Sequence, residues 1–140
     1  MNILVFDKTN RHDLVTPYLT LNEYRCRCIH TDCTRTLILK SNIDSFRKVR
    51  DRYSHPIRIT SGFRCQRHNL DVGGKFQSYH KIGAAMDIQP WTEKTPDCMD
   101  SAYQEKIDRL EECAKRHYDV VIRYSTFLHC HNFGDHTEEQ

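Results

Sequence analysis

The chain has 140 residues, a formal net charge of +2 and a negative mean hydropathy. A single domain spanning residues 1–140 is the simplest organisation, large enough to bury a core without disulfide staples. So small a charge gives no footing for nucleic-acid binding, although weak attraction to an anionic polymer such as a cell wall stays open.

The N-terminal run MNILVFDKTNRHD has no basic region ahead of its short apolar stretch, so it does not read as a signal peptide. No apolar stretch approaches the ~20 residues needed to cross a bilayer. Seven cysteines, an odd number with no secretory signal, point to reduced thiols in a cytoplasm at synthesis. A substrate outside that compartment would require another factor to release the protein.

Residues 1–20 mix polar and apolar positions and are expected to form a strand or extended arm. A helical turn around Asn22 and Glu23 leads into a cysteine-rich loop. Ser41 is the expected N-cap of a helix over 41–53, with Ile43, Phe46, Val49 and Tyr53 at helical spacing. Residues 56–60 alternate as a half-buried strand. Ser61-Gly62 and Gly73-Gly74 then mark a long loop, and loops of that length inside a compact domain are usually functional. A short strand over 84–89 stops at Pro90. A second helix is expected at about 98–117, capped by Asp97, with Tyr103, Ile107, Leu110 and Ala114 on its core face. Two β-prone runs, 118–124 and 127–131, flank Ser125-Thr126 and could pair as a hairpin. The tail GDHTEEQ is expected to fray.

The chemistry concentrates in Ser78-x-His80-x-x-Gly83-x-Ala85-x-Asp87. A hydrolytic zinc site needs three protein ligands, commonly imidazole and carboxylate, and an open position. His80 and Asp87 can converge if the small residues between them let the loop fold back closely. The third ligand is sought in His129-Cys130-His131, because a strand points alternate residues to one face. Cys130 itself could reach a metal only if that strand is irregular.

Other residues extend the pattern: Ile59-Thr60-Ser61-Gly62-Phe63-Arg64, His68-Asn69, Val72-Gly73-Gly74, Ile88, Phe127-Leu128-His129 and the opening Leu21-x-Glu23-Tyr24-x-Cys26-x-Cys28. Together they resemble the zinc D-alanyl-D-alanine carboxypeptidase and phage endolysin family, which shares its fold with the hedgehog signalling domain. The resemblance implies an α+β domain, a small and mainly antiparallel sheet flanked by helices. It implies one zinc ion on His80, Asp87 and His129, with Arg64 gripping a substrate carboxylate or the developing oxyanion and Ser78 supporting the substrate. The implied reaction is zinc-assisted amide hydrolysis on a peptidoglycan peptide stem containing D-amino acids, by a monomer that acts on the cell wall after release, as in a phage-infected host.

The chain departs from that family at the general base. Tyr124 stands about where many members carry a glutamate, and His131 replaces the aspartate of R-Y-x-x-F-V-H-x-D. His131 is therefore the candidate base or transition-state stabiliser. Related carboxypeptidases end in D-H-x-H, so His129 and His131 could exchange roles. The missing acid also permits an alternative: a catalytically inactive zinc-binding module of the same fold. His68 and Asn69 are read as fixing the loop. Cys26, Cys28, His30 and Cys33 invite a second zinc ion, but C-x-C lacks the C-x-x-C knuckle, and buried free thiols are the simpler reading. The spacing of Cys65, Cys98, Cys113 and Cys130 selects no function.

Overall fold

The computed structural model describes residues 2–9, 13–75 and 77–133. The polar tail lies outside the described residues. In the first twenty residues, β1 (Ile3–Asp7), β2 (Leu14–Thr16) and β3 (Leu19–Thr20) make an extended arm, and α1 (Leu21–Tyr24) is the short turn around Asn22 and Glu23. Its start is held by Glu23, whose carboxylate accepts the Thr20 N–H at 3.0 Å.

A strand that periodicity did not reveal follows the cysteine loop: β4 (Arg35–Leu39), antiparallel to β1. It runs straight into α2 (Lys40–Tyr53), with Leu39 in the cap position. No turn residue separates strand from helix, so no sequence signal marks either boundary. The expected Ser41 cap is accordingly displaced. Ser41 lies inside the first turn, its hydroxyl buried without a hydrogen-bond partner among the described residues.

After β5 (Ile57–Ser61), the long loop is not structureless. It contains α3 (Gln66–Asp71) and a 3-10 turn, Tyr79–Ile82. β6 (Ala85–Pro90) is buried along its whole length. α4 (Ser101–Lys115) starts later than expected: Asp100 caps it through the Ala102 N–H at 3.0 Å, while Asp97 holds the preceding turn by accepting from Met99 N. β7 (Val120–Arg123) and β8 (Leu128–His131) close the described fold as the expected hairpin.

The main sheet runs β5-β6-β8-β7 and is antiparallel throughout. The architecture is α+β, with helices covering one face of a small sheet. Alternation along β6 explains the two faces: Met86 and Ile88 enter the core, while Asp87 lies on the other side. Leu128 and Cys130 of β8 join the core opposite them. There they meet Phe46 and Val49 of α2 and Tyr103, Ile107 and Leu110 of α4, the helix faces that the 3.6-residue period marked. Truncating one of these fully buried side chains to alanine would cost about 2–5 kcal/mol.

A polar network crosses this core. The Tyr24 hydroxyl donates to the Ala85 carbonyl at 2.7 Å. Asn42 donates to the Tyr24 oxygen at 2.9 Å and to the Gly83 carbonyl at 3.0 Å, and Tyr118 donates to Asn42 Oδ1 at 2.7 Å. Each of these network atoms has a partner, so the network fixes α1, α2 and β6 in one arrangement.

Candidate metal centre

The sheet register assembles most of the site. Asp87 on β6 pairs directly with His129 on β8, and Ala85 pairs with His131. His129 and His131 therefore share the face that carries Asp87, and Cys130 turns into the core with no exposure. The strand is regular here, which removes Cys130 as a ligand.

His80 arrives from the opposite direction, on the 3-10 turn. Ser78 starts that turn by accepting the His80 N–H at 3.2 Å. Gly83 ends it at φ +75°, a conformation that side chains resist. A Cβ at Gly83 would also collide with the Leu37 carbonyl. The glycine thus lets the turn dock on β4, and the close approach it permits is to backbone.

Three acceptor-capable atoms then converge. Asp87 Oδ1 lies 3.2 Å from His80 Nε2 and 2.9 Å from His129 Nδ1, and one donor atom from each residue falls within 4.8 Å of the others. Zinc bonded at about 2.0–2.2 Å in a tetrahedron separates its ligands by about 3.3 Å. The spacing fits that ion. So does the chemistry: His80 Nδ1 sits 2.7 Å from the Gly62 carbonyl, which can only accept, so Nδ1 carries the proton and Nε2 presents a lone pair to the carboxylate. A lone pair facing a carboxylate needs a cation or a proton between them. His129 is steadied on its far side, with Nε2 2.8 Å from His131 Nδ1.

Burial alone would raise the Asp87 carboxyl. Without a metal, protons fill the gaps, and the hydrogen bonds that His129 and His80 then donate, together with their charge, outweigh that effect and bring it down to about 2. Burial also acts on His131 and pushes it down to about 4, with His129 and His80 adding to the shift and Asp119 opposing it. Its ring stacks on Tyr79, centroids 4.1 Å apart.

Arg64 completes the inner wall. Its Nε donates to Ser61 Oγ at 3.1 Å, while Nη2 lies 3.6 Å from Asp87 Oδ2 and Nη1 lies 3.5 Å from Asn69 Oδ1. Asn69 is buried and donates to the Lys75 carbonyl at 2.7 Å, fixing the glycine loop as expected. A cleft of about 400 Å³ opens over these groups, lined by Arg64, Ser78, Tyr79, Tyr124 and the histidines among others. Asp87 is the one carboxylate among the described residues that line it.

All six site residues read from the sequence, His80, Asp87, His129, Arg64, Ser78 and His131, meet at this cleft. Sequence reasoning missed the Gly62 carbonyl, Ser61 and Tyr79. The first acts through backbone, which no residue type announces. Ser61 stands beside Arg64 in the Ser61-Gly62-Phe63-Arg64 motif, so its role could have been suspected from proximity.

None of the helices among the described residues is long and apolar enough to cross a membrane. No curated protein matches the chain. A family model described as Peptidase M15 matches residues 17–131, a stretch that contains every ligand candidate and the cleft that holds them. With that match over most of its length and a ligand set that fits the zinc on which these peptidases depend, the chain belongs to the Peptidase M15 family.

Proposed function

We propose that the protein is a zinc-dependent peptidase that hydrolyses D-amino-acid-containing peptide stems of peptidoglycan, as a carboxypeptidase or an endolysin-type endopeptidase on a hedgehog/DD-peptidase-like fold. The observation that carries this reading is the convergence of His80, Asp87 and His129 beneath a cleft walled by Arg64. Zinc held by these three residues would polarise a scissile carbonyl and lower the pKa of a bound water to about 7.

The chain's own groups supply the rest. Arg64 is fixed at Nε, and its two terminal nitrogens make only long contacts, so both can turn to a substrate carboxylate or a developing oxyanion. Ser78 holds His80 by capping its turn and also faces the cleft. With His129 Nδ1 given to the metal, His129 Nε2–H donates to His131 Nδ1. His131 then keeps its proton on Nε2 and acts as a donor, which favours transition-state stabilisation over removal of the water's proton.

A second reading, a zinc-binding module without catalysis, draws on the absence of any carboxylate besides Asp87 among the described cleft residues. Mass spectrometry of purified muropeptides incubated with the zinc-loaded protein separates the possibilities. Released terminal D-alanine identifies a carboxypeptidase and an internal cut an endopeptidase. Unchanged muropeptides in the presence of bound zinc would leave the binding module.

A further inference from the structure

A second cluster of ligand-type side chains lies away from the cleft. The sulfurs of Cys26, Cys28, Cys33 and Cys65 all fall within 4.8 Å of one another, and the four thiols are free. We propose that these four cysteines hold a structural zinc ion that pins the loop carrying Arg64.

The spacing suits the ion. Zinc–sulfur bonds of about 2.3 Å in a tetrahedron place sulfurs about 3.8 Å apart, and Cys28 Sγ lies 3.8 Å from Cys65 Sγ. A tetrahedral set of four sulfurs selects zinc or iron, and zinc is the ion of closed structural sites. The surroundings suit bound thiolates. Cys65 N–H donates to Cys26 Sγ and His68 N–H to Cys65 Sγ, each at 3.4 Å, and the Lys8 ammonium lies 3.5 Å from Cys28 Sγ. Backbone donors and a nearby cation are what an anionic sulfur cluster needs around it.

The sequence concealed this set because its fourth member is far away in the chain. Cys26 and Cys28 follow α1, Cys33 closes the next turn, and Cys65 arrives from beyond β5. His30, the other ligand type in that loop, is directed elsewhere: its Nε2 lies 3.1 Å from Asp71.

The position gives the cluster its purpose. Cys65 follows Arg64 directly and caps α3, and α3 carries Asn69, which reaches Arg64 and the glycine loop. An ion on Cys65 therefore ties the cleft's arginine to the N-terminal third of the chain. A short helix whose only side-chain cap is a weakly accepting thiol gains its firm anchor from the metal.

The test uses the full chain, expressed with zinc and purified under reducing conditions. Elemental analysis should find about two zinc ions per chain, and about one in His80→Ala. The double variant Cys28→Ser/Cys65→Ser should also keep about one. If that variant does not fold, cobalt-loaded His80→Ala decides, because four-sulfur ligation gives intense thiolate-to-cobalt charge-transfer absorption that zinc then displaces. Thiol reagent should label these cysteines in His80→Ala only after a chelator is added. A single zinc in the wild type that His80→Ala abolishes, a cobalt spectrum without charge transfer, iron in place of zinc, or a disulfide among the four would overturn the assignment.

Discussion

Asp87 and His129 stand directly opposite each other on β6 and β8, with Oδ1 2.9 Å from Nδ1. Two candidate ligands are thus set by the hydrogen-bond register of a sheet, and the third is brought in by a capped turn. Rigid elements of this kind hold a metal constellation better than loops do. Replacing any one of His80, Asp87 or His129 by alanine should lower bound zinc by about one ion per chain, measured by elemental analysis. Full retention of zinc in His80→Ala would remove that residue from the ligand set.

Arg64 is held at Nε, and its terminal nitrogens are only loosely engaged. Arg64→Ala should leave the zinc content intact and lower kcat/KM by about 10²–10³-fold, the usual effect of losing one preorganised donor. Arg64→Lys should recover only part of the loss, because a single ammonium cannot form the paired hydrogen bonds of a guanidinium. Steady-state kinetics on a peptide substrate read both effects, and wild-type kinetics in Arg64→Ala would exclude the role.

His131 links the site to pH. Its folded pKa of about 4 lies below the unfolded value of about 6.5, so the unfolded chain takes up a proton there that the folded chain refuses. Its contribution to stability is present above pH ~6.5 and is lost as the pH falls towards 4. Asp87, at about 2, keeps its contribution down to its unfolded value of 3.8 and loses it between there and 2. With chelator present, the melting temperature of the wild type should fall between pH ~6.5 and ~4, and His131→Gln should flatten that slope. The same variant should keep zinc, with affinity reduced about 10–100-fold, while turnover drops. Equal slopes in the two proteins would contradict the burial of a neutral His131.

Asn42 supports the site from behind, since it holds the Gly83 carbonyl and accepts from Tyr118. Asn42→Ala leaves those buried groups without this partner and should destabilise the protein by about 2–4 kcal/mol in urea unfolding. A change below the error of the measurement would mean that the network is not maintained in solution.

The sequence made the site more legible than the fold around it. His80 and Asp87 stood out by their spacing about a glycine turn, and strand alternation offered His129 or His131 as the third ligand. The choice of His129 came from the family resemblance, while helix periodicity exposed the core faces of α2 and α4. β4 escaped because it enters α2 with no turn residue between them. The expected caps at Ser41 and Asp97 lie two and three residues from the true boundaries, Leu39 and Asp100, because competing polar residues stand beside them. α3 was hidden within a glycine-marked loop because its cap is a cysteine. The hydrogen bonds that select tautomers, from His80 to the Gly62 carbonyl and between His129 and His131, belong to tertiary structure, which no spacing encodes.

The most direct measurement is amine release from peptidoglycan sacculi by the wild type as purified, after chelation, and after zinc is restored, with Asp87→Asn alongside. New amines should appear with zinc, vanish on chelation, return on reloading and be absent with Asp87→Asn. Zinc-loaded wild type that releases no amines, or release that survives both chelation and Asp87→Asn, would contradict a zinc peptidase built on His80, Asp87 and His129.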